Sequence, residues 1–222
     1  MQRQVDSHHY RFTSYLTKER WASLWHQLDE VTRLEPERAL EIGPGSGVFS
    51  AMARMLGIAM ETLDIDPALE PDHLASVLEM PFGSNEFDVV CAFQVLEHLP
   101  YEKSLEAFAR LADVAASAVV ISLPDASVRW PFFFRIPGFG TLRVLLPRPR
   151  LFRPVHVFDG EHYWEIGKAG FSMYKIIDDL QKKAPSLSLV RNFRVFENPY
   201  HRFFVFLSAS SVTAAAGGPE TC

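Results

Sequence analysis

At 222 residues and 25.2 kDa the chain fits one ordinary domain with some additions better than two full domains. Apolar residues make up 48% and charged residues 22%, the balance of a globular chain and not of a disordered one. The net charge of −5 argues against a general nucleic-acid-coating protein, although a local basic face is compatible with it. Two Cys cannot build a disulfide framework and neither has a CxxC partner, so a reducing, cytoplasmic setting is expected. The N-terminus is too polar for a signal peptide, and no apolar run approaches the roughly 18 residues that span a bilayer.

The first predicted element is a helix inside an N-terminal segment, residues 1–36. Thr17 is its N-cap, and Trp21, Leu24, Trp25, Leu28 and Val31 recur at offsets of three and four until Pro36. The main domain is expected over 37–208. A short strand, Arg38–Ile42, runs into the glycine-rich turn Gly43-Pro-Gly-Ser-Gly47, and Phe49, Met52, Ala53 and Leu56 keep helical spacing as far as Gly57. A second strand, Ala59–Ile65, ends at Asp64 and Asp66 before Pro67. Phe87–Phe93 reads as a buried strand, Leu105, Phe108, Ala109 and Ala112 as a helix, and Ala118–Leu123 as another strand. This alternation predicts a doubly wound α/β fold, a mostly parallel sheet covered by helices on both faces.

The rhythm breaks over 126–153, which holds six Arg and no acid, with Trp130, Phe132, Phe133, Phe134 and Phe139 among several prolines. No single period fits, so an irregular lid is expected over about 126–160. A helix carrying Met173, Ile176, Ile177 and Leu180 follows the N-cap Ser172. Leu187–Phe196 and His201–Ser208 read as strands joined at Glu197-Asn-Pro-Tyr. Residues 209–222 are small and polar, and a disordered tail is expected there.

The chemistry begins at Glu41-Ile-Gly43-Pro-Gly45-Ser-Gly47. Such a turn lets backbone approach a ligand at the carboxyl edge of a sheet. Position 48 is Val, so the dinucleotide pattern GxGxxG is not met. Glu41 would repel a pyrophosphate but suits a cation. Asp64, 21 residues beyond Gly43, stands where a ribose would be held by both hydroxyls. A nucleoside joined to a positively charged, phosphate-free group describes S-adenosylmethionine.

On these residues the chain resembles the class I, Rossmann-like S-adenosylmethionine-dependent methyltransferases of the small bacterial type. The resemblance runs from about Arg38 to Asp125. It rests on Leu40-Glu-Ile-Gly-Pro-Gly-Ser-Gly47, Leu63-Asp-Ile-Asp-Pro67, Met80-Pro-Phe82, Phe87-Asp-Val-Val90, Val95-Leu-Glu-His-Leu-Pro100 and, more loosely, Ile121-Ser-Leu-Pro-Asp125. It implies a seven-stranded sheet of order 3-2-1-4-5-7-6 with strand 7 antiparallel. It also implies binding of S-adenosylmethionine and its product S-adenosylhomocysteine through Glu41, Gly43, Gly45, Gly47, Asp64, Ile65, Ser76, Val77, Phe93 and Gln94, with Tyr15 folding over the cofactor. Two departures stand out. Ser76 occupies the position where relatives carry the adenine-binding Asp, with Asp72 as a substitute if the loop is displaced. Gln94 stands where quinone O-methyltransferase relatives have the first Glu of Glu-x-x-Glu-His. An amide beside Glu97 and His98 weakens any metal site, so no metal is expected.

A hydroxyl acceptor would need a general base, for which Asp125, His98, His156 and His162 are candidates, His156 first and Asp125 beside it. The basic, aromatic insertion follows the fifth strand and favours an anionic acceptor: a small molecule, a glycan or a lipid-linked precursor. Its aromatic residues suit sugar stacking, peripheral membrane contact or packing on a second subunit, in a monomer or homodimer. A nucleic-acid or protein methyltransferase is the first alternative, disfavoured by the net charge. A non-catalytic S-adenosylmethionine-binding module is the second.

Overall fold

A computed structural model describes residues 16–138, 140–149 and 152–217. Helix α1 (Lys18–Thr32) starts at Thr17, whose hydroxyl accepts from Arg20 N. Leu24, Leu28 and Val31 face the core, whereas Trp21 and Trp25 of the same stripe stay exposed. There follow β1 (Arg38–Ile42), α2 (Val48–Met55), β2 (Ala59–Asp64), the two-residue β3 (His73–Leu74), β4 (Phe87–Phe93), α3 (Tyr101–Val114) and β5 (Ala115–Pro124). A separate pair, β6 (Arg129–Ile136) and β7 (Gly140–Pro147), precedes α4 (Met173–Lys183), β8 (Leu187–Arg194), β9 (His201–Ser208) and α5 (Ala209–Gly217).

The main sheet runs β3-β2-β1-β4-β5-β9-β8, with β9 antiparallel to both of its neighbours. This is the predicted seven-stranded order. Strands covered on both faces are apolar almost throughout, and β4 is so apart from Asp88, whose Oδ2 accepts from Glu37 N and Arg38 N. Phe87, Val90 and Ala92 join the core beneath α3 and α4, while Val89, Cys91 and Phe93 join the core beneath α1 and α2. β9 divides in the same way, with Phe204 and Phe206 on one side and Phe203, Val205 and Leu207 on the other. Strand β8 is irregular between Leu189 and Arg191, where its register against β9 shifts.

Three expectations need correction. The segment 126–153 is not irregular: Arg129–Ile136 and Gly140–Pro147 form an antiparallel hairpin with eight paired positions. Alternation had been hidden because apolar and basic residues share both strands. The prolines are tolerated because each strand of a two-stranded ladder is an edge. Of the expected tail 209–222, Ala209–Gly217 is helical, where Ala-rich sequence favours helix and Val212 packs against the core under α1, and 218–222 lie outside the described residues.

The third correction concerns Asp125. The end of β5 is fixed by a buried charge cluster, in which Asp125 pairs with Arg194 and accepts from Arg202 Nε at 2.9 Å. Its other oxygen accepts from Ser127 N at 3.0 Å. Both guanidiniums come from the C-terminal strands β8 and β9, far along the chain. With its oxygens engaged, Asp125 is an anchor of the sheet edge and not the base the sequence suggested. Replacing it with Asn should therefore leave two buried cations facing an amide and lower stability by roughly 3–5 kcal/mol. Urea unfolding of the variant measures this, and a loss under ~1 kcal/mol would contradict the anchoring role.

Candidate functional site

The site forms where β1 ends. Gly43, Gly45 and Gly47 all have positive φ, at 67°, 52° and 69°, in the left-handed region that L side chains rarely adopt. Space as well as torsion demands glycine at 43, since a Cβ there would sit 2.7 Å from Val95 Cγ2. Gly43 N donates to Leu63 O at 2.9 Å, and the turn delivers Gly47 as the N-cap of α2 without a capping side chain.

Just before the turn, Glu41 is 4% exposed and its Oε2 has no hydrogen-bond partner. Burial pushes its carboxyl up to about 8, against a smaller opposing effect of the Ser50 hydroxyl and Arg54. A desolvated acid with an orphan oxygen is costly unless a cation or donor meets it. Glu41, Gly43, Gly45, Phe93 and Gln94 line one cleft together, joined by Arg20, Ser23, Leu24 and Gln27 from α1. This arrangement fits the cationic, phosphate-free cofactor implied by the sequence.

Gln94 has φ 57°, an uncommon torsion for a residue with a Cβ, and its Nε2 donates to Ser122 Oγ at 3.1 Å. Phe93 packs edge-on against Phe49, with centroids 5.1 Å apart. His201 also lines the cleft and was missed by sequence reasoning. Burial lowers its pKa to about 3, and its Nδ1 has no partner. Only the antiparallel return of β9 brings it there, so no local pattern announced it.

The remaining cofactor candidates stand outside that cleft. Asp64 closes β2, one position past Leu63, which pairs with Ile42. It is half-buried, burial raises its pKa, and its Oδ1 accepts from Asp66 N at 2.8 Å. Ile65 follows it at the same sheet edge, partly exposed. Ser76 Oγ accepts from Leu78 N at 3.2 Å, and the Val77 side chain belongs to the core, leaving its backbone for any ligand contact. Asp72 is not available as a substitute. Its Oδ2 is held by Arg54 at 2.6 Å and by Thr62 N and Oγ1, both at 2.8 Å. Tyr15 lies outside the described residues.

A second cluster sits on the turn after β4. Glu97 is 0% exposed with both carboxylate oxygens unpartnered, and burial raises its carboxyl to about 8. The His98 and His162 rings meet edge-on at 5.0 Å. These three residues could each offer a ligand atom, all within 4.8 Å of one another. His162 comes from the segment after the hairpin, which docks through Tyr163 N to Glu97 O at 2.9 Å and Trp164 Nε1 to Leu99 O at 3.2 Å. Burial disfavours the charged His162 ring, but its contact with Glu165 at 3.2 Å raises its pKa overall. That contact, with the Tyr200 hydroxyl, holds Glu165 near 2. His156 Nε2 lies 2.8 Å from His162 O. A carbonyl only accepts, so Nε2 is the donor here, and Nδ1 is buried without a partner.

A family profile described as methyltransferase domain matches residues 8–173. No curated protein matches the chain. Among solved structures, the 1,6-didemethyltoxoflavin-N1-methyltransferase of Burkholderia thailandensis, with bound 1,6-didemethyltoxoflavin and S-adenosylhomocysteine, is 14% identical. Coverage is 86% of this chain and 77% of that one, with a TM-score of 0.54. The magnesium protoporphyrin IX methyltransferase of Synechocystis, with bound S-adenosylmethionine, is also 14% identical; coverage is 86% and 79%, and the TM-score is 0.51. The N-methyltransferase NodS of Bradyrhizobium japonicum, in complex with S-adenosylhomocysteine, is 12% identical, with coverage of 83% and 87% and a TM-score of 0.52. At these identities the likeness is one of fold.

The two buried acids set a pH dependence. Glu41 and Glu97 have folded values near 8 against an ordinary 4.5, so the folded chain favours their neutral forms. The stability they contribute is complete below 4.5 and is lost as pH rises through 8, each with a slope of about 1 kcal/mol per pH unit. His201 acts oppositely. Its folded value near 3 against 6.5 removes stability as pH falls below 6.5. Ligand-free protein should therefore lose stability on going from near-neutral to alkaline pH, and Glu41→Gln should flatten that fall. Thermal denaturation across this range is the measurement, and a flat wild-type profile would contradict the assignment.

Proposed function

This chain belongs to the methyltransferase-domain family, and from that premise we propose that it transfers a methyl group from S-adenosylmethionine to an anionic small-molecule, glycan or lipid-linked acceptor, releasing S-adenosylhomocysteine. The observation that carries the reading is Glu41, a buried acid with an orphan oxygen on the wall of a glycine-turned cleft. When bound, the cofactor supplies an electrophilic methyl on a positively charged sulfur. Glu41 meets the cationic part of the ligand and becomes ionised in doing so. The turn from Gly43 to Gly47 lets backbone approach without side-chain obstruction. Asp64 would receive the ribose hydroxyls, with Ile65 beside it, Ser76 and the Val77 backbone would serve the adenine, and Phe93 and Gln94 would line the ligand from the end of β4.

Holding acceptor and donor in line supplies up to roughly 7–11 kcal/mol of barrier lowering. For a hydroxyl acceptor, His156 is the residue assigned as general base, and its unpartnered Nδ1 is the atom that would take the acceptor's proton. No metal enters this reading. Burial keeps Glu97 neutral at pH 7, and the Gln94 amide is spent on Ser122. The solved relatives named for toxoflavin and protoporphyrin precursors support a small acceptor. The arginine row of the hairpin, Arg129, Arg135 and Arg143, supports an anionic one.

Isothermal calorimetry with S-adenosylmethionine tests the cofactor assignment. Asp64→Ala should weaken binding through the loss of charge-assisted hydrogen bonds worth on the order of 1.5–3 kcal/mol each before water compensates. Unchanged affinity would remove Asp64 from the ribose site.

An acceptor screen with labelled methyl tests the rest. Changing Arg129, Arg135 and Arg143 to Gln should raise the acceptor KM and leave cofactor affinity nearly as it was, and EDTA should leave the rate intact. Equal loss of cofactor binding would mark the hairpin as structural, and a rate restored only by magnesium would overturn the metal-free reading.

A further inference from the structure

The β6–β7 hairpin has two chemically different faces, and only one of them is accounted for by the acceptor reading. Its register places Trp130 opposite Leu146, Phe132 opposite Val144 and Phe134 opposite Leu142. Side chains alternate across a ladder, so these three apolar pairs share one face. Arg129, Phe133, Arg135 and Arg143 share the other. That second face touches the domain at Arg143, which pairs with Glu197 at 3.0 Å and whose guanidinium lies over the Phe196 ring, while Phe133 beside it stays exposed. The apolar face is open as well. Trp130 is 49% exposed, Phe134 50% and Leu142 52%, and the Phe132 and Phe134 rings stack in parallel with centroids 6.1 Å apart. A contiguous apolar surface of this kind marks an interaction site.

Charge selects the partner. Six of the 22 Lys and Arg of the chain lie within 126–153 and all 27 Asp and Glu lie outside it. Among the described residues, Arg148 and Arg153 make no ion pair; Arg148, whose N donates to Val128 O at 3.1 Å, continues β7 on the apolar face by alternation, and Arg153 lies exposed a few residues further along the chain. Apposing this face in a second copy would bring two acid-free arginine fringes together. An anionic lipid surface gives each guanidinium a counter-charge and receives the aromatic face at headgroup depth, where Trp and Arg are favoured. The ladder limits the depth. Both strands have unpaired backbone edges, which hydrocarbon cannot satisfy, so the hairpin lies in the interface and does not cross it.

We propose that the β6–β7 hairpin docks the protein onto anionic membrane surfaces through Trp130, Phe132, Phe134 and Leu142, with Arg148 and Arg153 holding the headgroups. The contact is independent of turnover. Its consequence for the site is that the arginine face would be held between the lipid surface and the domain.

The test is co-sedimentation of the full chain with phosphatidylcholine vesicles, with and without phosphatidylglycerol. Quenching of Trp130 by brominated lipid, with Trp130→Phe as the control, reports insertion. Wild type should bind the anionic vesicles, weakly or not at all the neutral ones, and release with salt. Arg148 and Arg153 changed together to Gln should weaken the partition about thirtyfold. Phe132→Ser with Phe134→Ser should abolish the quenching while circular dichroism and calorimetric cofactor affinity stay as in wild type, which separates this proposal from the cofactor assignment. Absence of wild-type binding to anionic vesicles overturns it. So does a concentration-dependent dimer in sedimentation velocity that the Phe132 and Phe134 changes dissolve, if vesicle binding survives those changes.

Discussion

The parting of the chain at the ends of β1 and β4 is the constraint on which the site depends. These strands are parallel neighbours at the centre of the sheet. After β1 the chain turns to the face covered by α1 and α2; after β4 it turns to the face covered by α3 and α4. Two departures in opposite directions open a crevice at the carboxyl edge that no side-chain choice could create by itself. The crevice is narrow enough that Gly43 and Val95 meet across it. Exchange of that glycine would therefore press on the turn that carries Gln94. One constraint thus accounts for the glycine, for the uncommon torsion of Gln94 and for the burial of Glu41 at the root of the turn.

Burial of acids without partners is a second theme, with two different outcomes. Glu41 opens onto the cleft, so its desolvation can be relieved by a ligand that carries positive charge. Glu97 is closed in beneath the docked 162–166 segment beside two imidazoles, and nothing from solvent reaches it. Asp125 shows the alternative solution to the same problem. It is equally buried but pinned between two guanidiniums, which fixes the junction of β5 with the two C-terminal strands.

Much of this was legible in the sequence, for identifiable reasons. The apolar runs of β4 and β5, the Thr17 and Ser172 caps and the Gly43–Gly47 turn are local signals, carried by residues whose roles depend on near neighbours. What stayed hidden depends on distant ones. Asp125 looked like a free carboxylate because Arg194 and Arg202 are some seventy residues away in the chain. His201 reaches the cleft only because β9 runs backwards through the sheet. The hairpin was misread because its alternation is between apolar and basic residues interrupted by proline, a pattern that suits a ladder with two exposed edges and fits no buried strand. The Ala-rich stretch after Ser208 carries helix propensity that its small, polar character masked.

The two rims of the large sheet differ in construction but share an effect. At one rim, β3 pairs through only two residues, too few to template an incoming strand. At the other, the ladder of β8 slips between Leu189 and Arg191, and Arg191 is drawn sideways to Glu30 on α1. A register shift and a tethered charge bend that outer backbone away from the flat geometry that edge-to-edge growth requires. The sheet is therefore finite by design at both ends. Among the described residues, these features at both rims work against edge-to-edge growth of the main sheet, even though β9, one strand in, is among the most apolar segments.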